Sequence, residues 1–160
     1  MPRVLLVAYG NPLRSDDGVA WHAADLLSRK FPESEVEILC LHQLGPELAE
    51  TVRHFELVLF LDASRLDDAE NIRPGDVRAT EISAKSGGTG ERAHFSHVYS
   101  PPMILDLASE LYRSSPKSFV VTVAGESFDH GDCLSPSVTV ALPKYVERVD
   151  QLVREFLSTP

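Results

Sequence analysis

The chain has 160 residues, 43% of them apolar and 24% charged, which suits one globular domain with a sizeable core. Its formal net charge of −9 argues against nonspecific nucleic-acid binding, which needs clustered Lys and Arg. No apolar run is long enough to span a membrane, and the first is too short for a secretory leader. The expectation is a cytoplasmic, reduced protein whose two cysteines, Cys40 and Cys133, are free, Cys40 as a buried strand thiol and Cys133 in a loop.

Val4 to Ala8 is a continuous apolar run, as expected of a parallel strand covered on both faces. Gly10-Asn11-Pro12 ends it with turn chemistry, and Val19, Ala20, Ala23, Leu26 and Leu27 then recur at helical spacing. Ser15, Asp16 and Asp17 therefore fall near the start of the first helix. Helix capping explains one acid readily and the second less well, so a ligand or catalytic role stays open beside it. Val36, Ile38, Cys40 and Leu41 form a second strand. Pro46 fits the first turn of a helix whose inward face is Leu48, Val52 and Phe55.

Leu57-Val58-Leu59-Phe60-Leu61 is the third buried strand and closes on Asp62, either a turn residue or a catalytic one. Arg65 to Gly75 reads as loop, and Asp76 to Ile82 alternates like an edge strand. Ala84 to Gly90 is glycine-rich but lacks both the dinucleotide fingerprint and a P-loop lysine, so it reads as a disordered loop or a lid. His94 and His97 precede a helix that Ser100 can cap and Pro101 can start, with Ile104, Leu107, Ala108 and Leu111 as its stripe. Two histidines there, in a chain whose strands end on acids, point toward metal or acid–base chemistry.

Phe119 to Ala124 is the last core strand. Gly125 to Leu134 reads as a solvated loop carrying Glu126, Asp129, His130 and Asp132. Ser135-Pro136 opens a final helix with a long apolar face from Val138 to Phe156, kinked at Pro143. Alternating strands and helices give an α/β class: a single domain over 1–160, three layers α/β/α, with a mostly parallel twisted sheet of about five strands and helices on both faces. A doubly wound sheet brings Asp16, Asp17, Asp62 and His97 to one edge. Carboxylate and imidazole ligands together suit a borderline divalent ion such as nickel or zinc. The residues alone lead to a mixed oxygen and nitrogen metal site, and no further.

These residues resemble a known family, the nickel–iron hydrogenase maturation endopeptidases. Gly10-Asn11-Pro12-Leu13-Arg14-Ser15-Asp16-Asp17-Gly18 is similar to the family signature G-N-x-L-x-x-D-[DE]-G. Leu59-Phe60-Leu61-Asp62-Ala63 is similar to its second motif, and His97 sits like its metal-binding histidine. Gly125-Glu126-Ser127 and Leu134-Ser135-Pro136-Ser137-Val138 resemble its last loop and closing helix, so the resemblance covers nearly the whole chain. It implies removal of a C-terminal extension from a hydrogenase large-subunit precursor. Asp17, Asp62 and His97 are implied as both catalytic residues and metal ligands, with Asp16 as a cap or supporting group. The nickel is implied to come with the precursor rather than to be held permanently, and the enzyme is expected to be monomeric.

Cleavage would use a metal-polarised carbonyl or metal-activated water, or Asp17 or Asp62 as general base. No HExxH helix and no Ser-His-Asp or Cys-His arrangement offers a rival protease mechanism. The chain departs from the pattern at Leu41-His42-Gln43-Leu44-Gly45-Pro46-Glu47, where many members have a small-residue turn. His42 and Gln43 would narrow the cleft, contact a different precursor or add a ligand. That departure motivates an alternative, a non-catalytic nickel-sensing or precursor-binding module of the same fold. A nucleotide-binding protein is the weakest reading, because the first turn lacks the glycine fingerprint.

Overall fold

The apolar runs become the strands of one sheet, β1 (Val4–Tyr9), β2 (Val36–Leu41), β3 (Leu57–Ser64), β4 (Val77–Ile82) and β5 (Lys117–Ala124). The computed structural model describes residues 1–66, 71–84 and 99–160. The strand order is β2-β1-β3-β5-β4. β1 pairs parallel with β2 and β3, β3 pairs parallel with β5, and only β4 runs antiparallel, at the edge. The chain leaves β1 toward β2 and then crosses back to β3 on the other side. This places the reversal of strand order between β1 and β3, where open α/β sheets build their sites.

Strand alternation divides the core in two. Val4, Leu6 and Ala8 of β1 and Leu57, Leu59 and Leu61 of β3 pack under α1 (Val19–Ser28) and α4 (Pro136–Leu157). Leu5 and Val7 of β1 and Val58 and Phe60 of β3 pack under α2 (Leu48–Val52) and α3 (Pro101–Tyr112). Both faces of the central strands are thus covered, which is why they read as unbroken apolar runs. Tyr145 of α4 is fully buried, and its hydroxyl donates to the Val121 carbonyl at 2.7 Å.

Several local expectations change. Cys40 is exposed, because β2 is the sheet edge and only Val36 of that strand is buried. The buried stripe of α3 is Pro101, Ile104, Leu105 and Ala108, while Leu111 is 64% exposed. Ser100 makes no side-chain cap to α3. Ser135 does cap α4, accepting from the Val138 N–H at 3.4 Å. The helix over 46–55 shrinks to Leu48–Val52, with Pro46 in the preceding turn, although Leu48, Val52 and Phe55 are buried as read. α4 runs on through Pro143 without interruption. In β4, Val77 and Ala79 pack toward one core and Ile82 toward the other, as period-2 alternation requires. The Lys85–Gly90 part of the glycine-rich segment, and part of the 65–75 loop, lie outside the described residues.

Phe60 is fully buried at the centre of the α2/α3 face. Phe60→Ala is expected to cost about 3–5 kcal/mol by leaving a cavity that helices on a fixed sheet cannot close. Urea unfolding measures this.

Candidate active site

The signature loop leaves β1 at Tyr9 and folds back on itself. Gly10 has φ +136°, and a side chain there would collide with the Asp17 carbonyl oxygen. A Cβ on Gly18 would lie 2.6 Å from Pro12 Cα. The two glycines of the motif are therefore demanded by the close approach of its two ends. Asp17 Oδ2 accepts the Asn11 backbone N–H at 2.7 Å, and Asn11 Oδ1 accepts that of Leu13 at 2.9 Å. These bonds fix the turn and leave the half-buried Asp17 carboxylate over the exit of β1.

Asp16 has a different task. The short 3-10 turn Ser15–Gly18 and α1 both start without a side-chain cap, so Asp16 does not cap its own helix. Its side chain is fully buried and reaches across the fold instead. Oδ2 accepts the N–H groups of Glu126 at 2.8 Å and Ser127 at 2.9 Å, and Oδ1 accepts that of Ser135 at 2.8 Å. Burial pushes its proton affinity up, but these backbone donors outweigh it and hold the carboxyl below its ordinary value.

The 125–135 loop is consequently not a free solvated connection. Ser15 N–H donates to Gly131 O at 2.8 Å, Gly131 N–H to Leu13 O at 2.9 Å, and Asp16 N–H to Ser127 O at 3.0 Å. The side chains of Glu126, Asp129, His130 and Asp132 do remain exposed on this anchored backbone.

Asp62 lies near the end of β3 and is half-buried. Its Oδ1 accepts the Ala63 N–H at 2.8 Å. Burial raises its pKa to about 7; the Ala63 N–H bond opposes this, as does the nearby Tyr9 hydroxyl, the Asp17 charge adds to it and Arg65 opposes it. Arg65 lies over the Phe128 ring, 4.4 Å from its centroid. The structure thus brings Asp17 and Asp62 within electrostatic reach of each other at the switch point. A carboxyl poised near neutrality serves as general acid or base, and the same poorly solvated oxygens would gain from a cation.

His97, and His94 with it, lies outside the described residues. Among the described residues no group of three or more His, Cys, Asp and Glu side chains is placed to hold a metal ion. His42 is exposed and leans on Trp21, ring centroids 5.2 Å apart. The Trp21 indole N–H donates to the Leu41 carbonyl at 3.1 Å, and so does Gly10 N–H at 3.1 Å. The residue that sequence reasoning passed over is Tyr9. Alternation from Leu5 and Val7 puts it on the Asp62 face, a signal present in the sequence once the strand pairing is known.

The fold and site define an α/β protein with paired carboxylates at a topological switch point. Its likeness is to hydrogenase maturation endopeptidases, over nearly the whole chain. HybD from E. coli, a hydrogenase maturating endopeptidase, aligns over 96% of this chain and 93% of its own at 25% identity and a TM-score of 0.72. A [NiFe] hydrogenase maturation protease HybD from Thermococcus kodakarensis aligns over 94% and 99% at 24% identity and a TM-score of 0.62. The HycI maturation protease of the same archaeon shares the fold over 95% and 92% at 17% identity and a TM-score of 0.69. No protein-family model and no curated protein sequence matches the chain.

Two stability predictions follow from the acids. Asp16→Ala leaves three buried N–H groups, of Glu126, Ser127 and Ser135, without their acceptor. A loss of about 3 kcal/mol or more in urea unfolding is expected, and a smaller loss for Asp16→Asn, which keeps one acceptor oxygen. For Asp62, folding raises the pKa from 3.8 to about 7, so the folded state holds the proton more tightly. Its contribution to stability is full below 3.8 and is lost as pH rises through about 7. The melting-temperature advantage of Asp62→Asn over the native protein is expected to grow from about pH 4 to about pH 7 and to level off above. A pH-independent difference would contradict this assignment.

Proposed function

We propose that this chain is an endopeptidase that removes the C-terminal extension of a nickel-loaded [NiFe]-hydrogenase large-subunit precursor. The observation that carries the reading is the approach of Asp17 and Asp62 at the β1/β3 switch point, in a fold shared with hydrogenase maturation endopeptidases over nearly the full chain. Asp17, Asp62 and His97 are the groups we assign to both metal engagement and cleavage. The nickel belongs to the precursor and is read as part of the substrate, which makes metal insertion the checkpoint for processing. Two oxygen ligands and one imidazole would leave coordination positions for the groups that already hold the metal. Cleavage then needs a polarised carbonyl and an activated water, with Asp17 or Asp62 available as general base. Among the described residues no helix is long and apolar enough to cross a membrane. We assign the protein to the cytoplasm, acting as a monomer that docks transiently on its precursor.

Mass spectrometry of a competent nickel-loaded precursor tests the reading. The native protein is expected to release a C-terminal peptide, and Asp62→Ala and His97→Ala to slow release by roughly 10²-fold or more. No release by the native protein would overturn the endopeptidase and favour the non-cutting nickel-sensing or precursor-binding module. Nickel engagement is also expected to weaken as pH falls through about 6.5, where an imidazole gains its proton. An affinity flat across that range would count against His97.

A further inference from the structure

We infer that Ser15 is a positioning residue for Asp17, and that its hydroxyl fixes the turn from which the Asp17 carboxylate is presented. This deepens the endopeptidase reading and rests on it. The turn runs from Arg14 to Asp17 and is closed by the Asp17 N–H, which donates to the Arg14 carbonyl at 3.1 Å. Ser15 is its first central residue and has φ +52°, a left-handed backbone that a side chain disfavours and glycine accepts without strain. A serine held there is explained by what its side chain does. Ser15 is half-buried, and its hydroxyl donates to the Asp129 carbonyl at 2.8 Å. Its own N–H donates beside this to the Gly131 carbonyl, also at 2.8 Å. The fit is close, since a Cβ on Gly131 would lie 3.3 Å from Ser15 Oγ.

The two acids that follow Ser15 diverge. Asp16 turns inward to the N–H groups of Glu126, Ser127 and Ser135, and these bonds join the two loops without the Ser15 hydroxyl. Asp17 turns back over the exit of β1, where Oδ2 accepts the Asn11 N–H at 2.7 Å. That bond lies within the signature loop, so it shapes the loop but does not place it against the rest of the fold. With Asp16 held as a pivot, the remaining freedom is a rotation of the turn about it. The hydroxyl and N–H of Ser15 oppose that rotation from one side of the pivot, and Asp17 follows on the other. Stability therefore rests mainly on Asp16, and the aim of Asp17 on Ser15.

The test compares Ser15→Gly, which relieves the left-handed backbone and loses the hydroxyl, with Ser15→Ala, which only loses the hydroxyl. In the protein alone, amide hydrogen exchange at Asn11 is expected to quicken by about tenfold in both variants, while Val7 in the paired β1 keeps its native protection. In precursor cleavage, kcat is expected to fall by about tenfold in both, with KM within about twofold of native, because aim is lost and docking is not. Ser15→Gly is expected to melt higher than Ser15→Ala, so that activity and stability part company. A native kcat in Ser15→Gly, or native exchange at Asn11, overturns the assignment. So does a kcat that follows the melting temperature across the two variants, which marks a structural role, or a rise in KM with kcat unchanged, which marks a docking contact. Failure of the native protein to cleave strikes the endopeptidase reading alone, and exchange at Asn11 then decides whether Ser15 holds Asp17.

Discussion

The buried carboxylate of Asp16 is the contact on which the rest of the site depends. An ionised group removed from water is costly unless its oxygens are occupied, and here backbone N–H groups from residues 126, 127 and 135 occupy both. Those partners lie 110, 111 and 119 residues away along the chain. One side chain therefore ties the loop after β1 to the loop after β5 and to the start of α4. Asp17 is the next residue, so its position follows from how firmly Asp16 is held. The signature motif is in this sense two instructions in adjacent letters. The first acid builds the scaffold, and the second stands half-buried at the exit of β1.

Asp62 shows the opposite balance. It is half-buried beside a second acid, and burial pushes it toward the protonated form near neutral pH. A group so placed weakens the fold once ionised, and a cation would relieve that cost. Charge that is unfavourable to folding alone and favourable with a ligand is a mark of functional rather than structural acids. The contrast with Asp16 is physical: three donors from the backbone against one from its own neighbour.

The departure at Leu41–Glu47 alters side chains while keeping the scaffold. The Leu41 carbonyl receives both the Gly10 N–H and the Trp21 indole, so the end of β2 still braces the signature loop and α1. His42 rests on Trp21 rather than joining the acids in a metal-binding group among the described residues. The consequence falls on the surface, where His42 and Gln43 are exposed.

The sequence by itself determined the α/β class, the strands, the edge position of β4 and the inward face of α4, because apolar runs and periodicities report burial directly. It also marked Asp17 and Asp62 through the motifs and the strand ends. Residue types and spacing could not separate Asp16 from Asp17, since a cap to a distant loop and a free carboxylate look alike in adjacent letters; only the family resemblance set Asp16 apart, as a cap or supporting group. Nor could the sequence show that Cys40 is exposed, which depends on β2 being the edge, or that the 125–135 loop is anchored, which depends on backbone donors that carry no side-chain signal. The pairing of Tyr9 with Asp62 was decided by tertiary structure alone. A residue's neighbour across a parallel sheet is set by the register of strands far apart in sequence, and no local pattern encodes it.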